Sequence, residues 1–282
     1  MGMDLSGKTA LITGVNSGIG YETMRVLALR GAHVLGTARD PQKARNACAN
    51  VEGRASPLVL ELADPDSVVA CAREVDAMEV SIDMLICSAG VLLPMLQQVR
   101  GLEMHFVVNH LGHFILVNRL LHRVTSAPQG RVVVVGSDAH RSAPAEGIRF
   151  DALSGEGWFD RRTAYGHSKL ANGLFSKVLA RRLRGTRATS NCLHPGVVRT
   201  NIARNLPAWQ ETLFRVVGGL FLKSLAEGAA TTCYVATDPA LAAVSGCYFA
   251  DCNPATPSAQ MRDDDMAERL WNVSTDLVRG YL

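Results

Sequence analysis

The sequence predicts one α/β domain over residues 1–282, a doubly wound, mostly parallel seven-stranded sheet with helices on both faces. The first supporting observation is that short apolar runs alternate with helical patterns along most of the chain. The second is that these runs are near-continuous in apolar residues, which is typical of parallel strands buried on both faces. The third is that no internal repeat, low-complexity linker or break in composition divides the chain.

Seven apolar runs supply the strands, and the amphipathic stretches between them supply the crossovers. The predicted strands cover residues 9–13, 33–38, 58–62, 84–88, 131–136, 189–193 and 246–249. The first helix is expected over residues 21–30, because Met24, Leu27 and Ala28 fall on one stripe. Further helices are expected near residues 66–78 and 102–126 and around Tyr165. Right-handed crossovers then give the doubly wound arrangement.

Composition and charge exclude several classes of function. Hydrophobic residues make up 48% of the chain and charged residues 20%, as in an ordinary globular protein. The net charge of +3 is too small to indicate nucleic-acid binding. No apolar run reaches the ~18 residues of a membrane span, and we expect no N-terminal signal region.

The seven cysteines are scattered, odd in number and without a Cys-x-x-Cys pair. This pattern argues against a disulfide framework and a zinc site, and it favours a reducing compartment, which we predict to be the cytoplasm. His110, His113 and His140 invite a metal-site interpretation, but no carboxylate or cysteine set accompanies them at ligand spacing. The sequence therefore predicts no metal centre.

A glycine-rich turn over residues 13–20 lies where the first strand passes into the first helix. Gly14, Gly18 and Gly20 let the backbone turn tightly and approach a pyrophosphate, while the helix N-terminus offers N–H groups and a positive dipole end. Ordinary turns also use glycine freely, but a strand–turn–helix setting at the start of an alternating chain is specific. The turn therefore predicts a dinucleotide site.

The end of the second strand indicates which dinucleotide binds. An acidic residue there would bind the ribose 2′-hydroxyl of NAD, but this chain has Arg39. A guanidinium makes charge-assisted hydrogen bonds to a 2′-phosphate, so NADP(H) is favoured, with NAD(H) left open. The alternative is a surface arginine paired with Asp40.

Tyr165 and Lys169 are four residues apart in a helical stretch, which places the phenol and the ammonium on one helix face. A nearby cation favours the phenolate and lowers the pKa of a tyrosine, so the pair can donate and accept a proton near neutral pH. Taken alone, such a pair is more often a solvated helix face. Here it follows both the glycine turn and a strand that ends at Ser137.

Several motifs in order resemble the short-chain dehydrogenase/reductase family, within which the retinol dehydrogenase-like branch, including the oxidoreductase half of WW-domain oxidoreductases, is most similar. The matching segments are residues 13–20, 87–90, 108–114, 137–140, 165–172 and 194–200, and the likeness extends from residue 4 to about residue 249. The resemblance implies a Rossmann fold, an NAD(P)-dependent oxidoreductase and a homodimer or homotetramer.

The resemblance also assigns roles to individual residues. It implies that Ser137 binds the substrate oxygen, that Tyr165 is the acid/base, and that Lys169 lowers the pKa of Tyr165 and holds the nicotinamide ribose. Asn109 matches the residue that holds a proton-relay water. The implied cofactor contacts are Gly14, Asn16, Ser17, Gly18, Ile19, Gly20, Arg39, Glu61, Leu62, Ser88, Ala89, Gly90, Tyr165, Lys169, Pro195, Gly196, Val198 and Thr200.

Two departures from the family pattern stand out. Glu61 replaces the usual aspartate before Leu62, so the carboxylate expected to reach the adenine sits on a longer side chain. Cys87 and Ser88 replace an Asn-Asn pair, which removes side-chain amides that support the neighbouring strand. Neither departure changes Ser137, Tyr165 or Lys169.

Substrate choice is expected to come from variable segments around the active site. Residues 141–163 lengthen the connection between Ser137 and Tyr165, and residues 201–225 carry apolar side chains at helical spacing, either as a lid or as a packed helix pair. With the apolar edge Leu92–Met95, they predict a small hydrophobic carbonyl or alcohol substrate. Two alternatives stay open: a catalytically silent cofactor-binding sensor or scaffold, and a light-dependent enzyme resembling protochlorophyllide reductase.

Overall fold

The computed structural model describes residues 3–198 and 223–282. Its strands are β1 (Thr9–Thr13), β2 (His33–Ala38), β3 (Arg54–Val59), β4 (Met84–Cys87), β5 (Gln98–Val99), β6 (Leu102–Glu103), β7 (Arg131–Val135), β8 (Thr189–His194), β9 (Tyr248–Ala250) and β10 (Asn253–Pro254). Eight of them form one sheet in the order β10-β9-β8-β7-β4-β1-β2-β3, while β5 and β6 form a separate hairpin. All neighbours in the large sheet are parallel except β9 and β10.

Helices cover both faces of the sheet, as predicted. They are α1 (Gly18–Leu29), α2 (Pro41–Ala49), α3 (Pro65–Ala77), α4 (Met104–Phe106), α5 (Gly112–Thr125), α6 (Arg161–Arg182), α7 (Leu225–Thr237), α8 (Ala259–Arg262) and α9 (Asp264–Val278). The core on one face comes mainly from α3, α5, α6 and α9. The core on the other face comes mainly from α1, α2 and α7. Within the described residues, no helix is long and apolar enough to cross a membrane.

The doubly wound prediction is confirmed, because the strand order reverses between β1 and β4. In such sheets the crevice at the carboxyl ends of the strands, at the point of reversal, is where ligands bind. The glycine turn follows β1, and Ser88, Ala89 and Gly90 follow β4. The fold therefore brings two of the predicted cofactor segments to one edge of the sheet.

The predicted strand over residues 58–62 is wrong in its bounds, since β3 covers Arg54–Val59. Most of β3 is exposed or half-buried, because it lies at the edge of the sheet and pairs only with β2. Its position follows from the register of His33 with Arg54, so the apolar run that suggested residues 58–62 marks the end of the strand. Glu61 and Leu62 therefore lie in the turn before α3.

The antiparallel strand β10 was not predicted, and a strained turn connects it to β9. The two central residues of this turn, Asp251 and Cys252, have φ angles of 52° and 57°. Tight hairpin turns with positive φ at both central positions favour glycine, because other residues pay a steric cost of about 1–2 kcal/mol there.

We predict that Cys252→Gly raises the free energy of unfolding by about 1 kcal/mol, since glycine removes this steric cost. Urea denaturation monitored by circular dichroism measures the change. Cys252→Ala is the matched control, because it also loses the thiol contact with Thr231 at 3.8 Å but keeps a Cβ atom. A glycine variant no more stable than the alanine variant would show that backbone strain is not stored at this turn.

Candidate active site

The turn between β1 and α1 is packed too tightly to admit side chains at its glycines. Gly14 and Gly18 have φ angles of 76° and 64°. A Cβ atom on Gly20 would lie 2.3 Å from the Gly14 carbonyl oxygen, and one on Gly14 would lie 2.9 Å from the Ala89 Cβ. Ser17 is the N-cap residue of α1, and its side chain forms no hydrogen bond with a described N–H group of the helix. The turn thus presents backbone N–H groups and a hydroxyl at a helix N-terminus, which suits a pyrophosphate.

Thr13, at the end of β1, connects the glycine turn to the segment after β4. Its hydroxyl oxygen accepts hydrogen bonds from the N–H groups of Ser88 and Ala89, both at 2.9 Å. The hydroxyl proton then points to His113 Nε2, 2.8 Å away. His113 Nδ1 in turn donates to the Asn109 carbonyl oxygen at 3.0 Å. These bonds support the strands next to Cys87 and Ser88, where the replaced Asn-Asn pair would have supplied side-chain amides.

Asn109 lies in a five-residue π-helix, Val107–Leu111, that continues into α5. Its side-chain oxygen accepts from the Val91 N–H at 2.8 Å, and its amide group donates to the Val91 carbonyl and to the Ser168 hydroxyl at 3.1 and 2.9 Å. The side chain is fully buried. Single π-turns inside helices are frequently found at functional sites, and this one joins α5 to α6 beside Lys169.

Ser137 is fixed by a turn that two histidines hold in place. Its side chain accepts from the Ala139 N–H at 3.2 Å, and its carbonyl oxygen accepts from His140 Nδ1 at 2.7 Å. His140 Nε2 accepts from the Ser258 N–H at 3.0 Å, so His140 is neutral and connects this turn to the C-terminal segment. His194 Nδ1 accepts from the Asp138 N–H at 3.1 Å. His140 and His194 therefore hold the backbone around Ser137 in position.

Tyr165 and Lys169 lie one turn apart on α6, as predicted. Lys169 Nζ is 5.6 Å from the centre of the Tyr165 ring and donates to the Val135 carbonyl oxygen at 2.9 Å. Burial lowers the pKa of Lys169 to about 8. Gly90 completes this corner, because a Cβ atom there would lie 3.0 Å from Asn109 Oδ1 and 3.7 Å from Lys169 Nζ.

The expectation that Lys169 lowers the pKa of Tyr165 is not met by the polypeptide groups alone. Burial raises the pKa of Tyr165 to about 12, although part of the residue remains exposed, and a hydrogen bond with the Ser137 side chain opposes the rise. This influence on the pKa places the predicted serine beside the predicted tyrosine. Ser137, Tyr165, Lys169 and Asn109 therefore form one continuous cluster.

Arg39 follows β2 and its side chain is exposed. Asp40 does not neutralise it: its carboxylate caps α2 by accepting from the N–H groups of Gln42 and Lys43, at 2.8 and 3.0 Å. Among the described residues, none forms an ion pair with Arg39. Arg39 is thus a surface arginine, as that alternative expected, but the ion pair with Asp40 that it predicted is not formed.

The remaining predicted contacts lie in turns at the same edge of the sheet. Glu61 Oε1 accepts from the Ala63 N–H at 3.1 Å, and Leu62 packs against Gly112 at the start of α5. Pro195, Gly196 and Val198 follow β8, where Gly196 has a φ angle of 88°. Thr200 and almost all of the 201–225 segment lie outside the described residues.

The segment 141–163 folds over the site and holds a feature that sequence reasoning missed. Phe150 and Leu153 pack on the core, and the Trp158 indole N–H donates to the Ala152 carbonyl at 2.7 Å. Phe159 instead stacks on the buried ring of His105, which in turn contacts Tyr165. The run Glu103-Met104-His105 carried the only signal, a carboxylate just before an apolar helix, where N-caps occur.

The geometry fits a nicotinamide dinucleotide. A glycine turn in which a Cβ atom on Gly14 or Gly20 would clash with neighbouring protein atoms lies at one end of the crevice, and a tyrosine, a serine and a buried lysine lie at the other. Residues 3–198 and 223–282 contain no cluster of three His, Cys, Asp or Glu side chains arranged for a metal ion.

A family model described as short chain dehydrogenase matches residues 8–211. The chain belongs to the short-chain dehydrogenase family. Retinol dehydrogenase 12 of Bos taurus is 41% identical, covering 98% of this chain and 88% of its own. Retinol dehydrogenase 14 of Homo sapiens is 39% identical, over 97% and 87%. The short-chain dehydrogenase TIC 32 A, chloroplastic, of Brassica napus is 39% identical, over 99% and 91%.

A solved structure gives the same picture. The crystal structure of an uncharacterized protein from Mycobacterium paratuberculosis has a TM-score of 0.80 and 31% identity, covering 98% of this chain and 95% of the other. The resemblance drawn from the motifs is thereby confirmed, including the retinol dehydrogenase-like branch. The protein is an oxidoreductase that interconverts alcohol and carbonyl groups with NAD(P).

Proposed function

We propose that this dehydrogenase prefers NADP(H), reduces or forms a carbonyl group on a hydrophobic substrate, and uses Tyr165 as its acid/base. The observation that carries the proposal is that the centre of the Tyr165 ring lies 5.6 Å from Lys169 Nζ, with the Ser137 side chain near enough to oppose the rise in the pKa of Tyr165. A bound nicotinamide would supply or accept the hydride. The protein groups then have to hold the substrate oxygen and move one proton.

In the reducing direction, the carbonyl oxygen lies between the Ser137 hydroxyl and the Tyr165 phenol. The carbonyl carbon receives the hydride, and the oxygen receives the phenol proton, so that an alcohol and a phenolate result. The Lys169 ammonium stabilises this phenolate across about one helical turn. Oxidation of an alcohol runs through the same contacts in reverse.

We propose that Asn109 holds a water molecule near Lys169 through which the proton is relayed. Its buried side chain ties α5 to α6 and to Val91, so the position of Lys169 relative to the π-helix is fixed. We propose that Gly14, Asn16, Ser17, Gly18, Ile19 and Gly20 hold the pyrophosphate side of the cofactor. We propose the same role on the ribose and nicotinamide sides for Ser88, Ala89, Gly90, Pro195, Gly196, Val198 and Thr200, with Glu61 and Leu62 beside the adenine.

The preference for NADP(H) rests on Arg39. The exposed guanidinium follows β2, and Asp40, its only acidic neighbour along the chain, is committed to the cap of α2. A charged hydrogen bond of this kind contributes about 1.5–3 kcal/mol, which is about a 10- to 100-fold change in affinity.

We predict that Arg39→Ala raises the dissociation constant for NADPH about 10- to 100-fold and changes that for NADH about twofold or less. Isothermal titration or fluorescence quenching measures both constants. Arg45→Ala is the matched control, because Arg45 is an exposed arginine on α2 bonded to Gln42. An unchanged ratio of the two constants in Arg39→Ala would remove the basis of the NADP(H) proposal.

The hydrophobic substrate is supported by the apolar surroundings of Tyr165. Leu92 and Leu93 are half-buried and Met95 is 69% exposed. The Leu93 N–H is bonded to His105, whose ring contacts both Phe159 and Tyr165. The names of the retinol dehydrogenase relatives also point to a large apolar alcohol. Two separate clefts of about 510 and 270 Å³ include none of Ser137, Tyr165 and Lys169 among their lining residues.

Cofactor oxidation against a panel of hydrophobic aldehydes and ketones, with NADPH and NADH side by side, tests the proposal. Turnover with NADPH supports it. Binding of NADPH without turnover across the panel would favour the sensor or scaffold alternative. Turnover of a bound pigment only under illumination would favour the light-dependent alternative.

We further propose a cytoplasmic location and a homodimer or homotetramer. The location follows from the cysteine pattern and the assembly from the family. Fractionation of cells and light scattering of the purified protein measure the two.

A further inference from the structure

Glu103 and His105 form a buried pair beside the proposed catalytic tyrosine. Glu103 is 1% exposed and His105 is fully buried. Glu103 Oε1 lies 2.6 Å from His105 Nδ1 and accepts from the His105 N–H at 2.9 Å, while Oε2 accepts from the Phe106 N–H at 3.0 Å. The carboxylate thus has three donors and lies at the start of a helix, where a negative charge is stabilised.

The other ring nitrogen of His105 identifies its protonation state. Nε2 lies 2.7 Å from the Leu93 nitrogen, and a backbone N–H can only donate. Nε2 is therefore the acceptor, the ring is neutral, and Nδ1 carries the proton that it donates to Glu103. Both nitrogens of the ring and both oxygens of the carboxylate are used within the protein.

The ring of His105 touches two walls of the site. It stacks on Phe159 with ring centres 6.1 Å apart and planes inclined by 13°, and it meets Tyr165 edge to face at 6.1 Å and 74°. The segment that carries Phe159 is held as well, because the Glu103 N–H donates to the Leu153 carbonyl at 2.8 Å. Gly155 packs so closely that a Cβ atom there would lie 3.0 Å from Glu103 Cγ.

We propose that Glu103 and His105 act as a clasp that positions the substrate wall next to Tyr165 and so determines which substrates fit. The clasp joins the apolar edge Leu92–Met95, through the Leu93 N–H, to the Phe159 segment. Because Glu103 and His105 are buried and their polar atoms are paired internally, the surfaces left to the substrate beside them are those of Phe159 and of the Leu92–Met95 edge. The group attached to the substrate carbonyl on this side is therefore apolar. This inference rests on the proposed function, since it assigns a wall of the same site.

Replacement of His105 by Phe keeps a flat ring for Phe159 and Tyr165 but removes the acceptor for Leu93. His105→Gln restores an acceptor near the Nε2 position and is the conservative variant. His110→Phe is the matched control. His110 is as buried as His105 and lies five residues further along the same helical segment. Its ring contacts are with Phe106, Phe114 and Phe175, and Tyr165 is not among them.

Two measurements on the full chain test the clasp. The first is the ratio of kcat/KM for decanal to kcat/KM for propanal with NADPH. The second is the hydrogen-exchange rate of the Leu93 amide, which needs no turnover. We expect His105→Phe to lower the ratio about tenfold, within the range that apolar pocket contacts provide, and to speed Leu93 exchange at least about tenfold. In both the ratio and the exchange rate, His105→Gln should fall between His105→Phe and the unmodified protein. His110→Phe should match the unmodified protein in both quantities.

A ratio within about twofold of the unmodified value in His105→Phe would overturn the clasp as a determinant of specificity, and so would an equal loss in His110→Phe. If the unmodified protein reduces no aldehyde or ketone of the panel, the proposed function fails, and Leu93 exchange alone decides the clasp. Protection of Leu93 that survives in His105→Phe would overturn it in that case too.

Discussion

Tyr165→Phe is expected to lower kcat about 100- to 10,000-fold while the dissociation constant for NADPH changes far less. This range is what a positioned proton donor contributes to a reaction. Phenylalanine keeps the ring that lies 5.6 Å from Lys169 Nζ and contacts His105 edge to face, so the shape of the site is retained. Only the phenolic hydroxyl is removed.

Single-turnover kinetics with saturating NADPH measure this loss without interference from product release. Tyr234→Phe is the matched control, because Tyr234 on α7 packs edge to face on Phe249, away from the site, and is expected to keep full activity. If Tyr165→Phe retained more than about a tenth of kcat, the proton would have to come from another group, and the role of Tyr165 would be lost.

The raised pKa of Tyr165 bears on the direction of this proton transfer. A phenol with a pKa of about 12 is protonated throughout the neutral range, which suits it to donate to a carbonyl oxygen. To accept a proton from an alcohol, the phenol must first lose its own, and this step needs positive charge nearby. Lys169, with a pKa of about 8, is still mostly charged at neutral pH and lies on the same helix face.

Sequence reasoning located most of the sheet because buried parallel strands are apolar throughout. β1 and β2 were predicted with their observed bounds for this reason. β3 was misplaced because an edge strand needs little apolar content, and its register with β2 does not appear in the local sequence. α2 was missed although Asp40 and Pro41 form a clear N-terminal signal.

The residues of the site that belong to short sequence motifs could be predicted, whereas contacts between distant segments could not. Asn109, Ser137, Tyr165 and Lys169 were each identified from a local pattern, and the structure brings them together. The contact of Thr13 with His113 joins residues 100 positions apart, and that of Leu93 with His105 needs a loop folded back on a helix. Such partnerships depend on where segments meet in space, which no short pattern records.

Acidification is expected to unfold the protein steeply, because three fully buried histidines are held neutral. Burial lowers the pKa of His110 to about 3, that of His113 to about 4 and that of His167 to about 3. The hydrogen bonds agree with these values. His113 Nε2 accepts the Thr13 hydroxyl proton, and His167 Nε2 accepts from the Arg149 N–H at 3.1 Å. Protonation of either acceptor would break its bond.

The sign of the effect follows from the number of protons that each state binds. In the unfolded chain each histidine takes up a proton near pH 6.5, whereas in the folded protein it does so only near pH 3 or 4. Between these values the unfolded state binds more protons, so the free energy of unfolding falls as the pH falls. Each histidine contributes about 1.4 kcal/mol per pH unit, and the three together about 4 kcal/mol per pH unit below about pH 5.5.

Urea denaturation at a series of pH values between about 7 and 4.5 measures this slope. Because a domain is stabilised by only about 5–15 kcal/mol, three histidines are enough to unfold it within about two to three pH units. His110→Gln should reduce the slope by about a third, since glutamine can keep the bond to the Ser274 hydroxyl but does not titrate. A variant that is less stable at every pH still reveals the lost titration, because the slope is the change in the free energy of unfolding per pH unit and not its value.

His122→Gln is the control for this series, because His122 lies on the surface with 58% of its side chain exposed and pairs with Asp76. It should not reduce the slope by a third as His110→Gln does. If His110→Gln and His122→Gln gave the same slope, the buried histidines would not be the groups that titrate on unfolding. The cluster in which His110 packs against three phenylalanine rings would then have to admit a charge, which its apolar surroundings oppose.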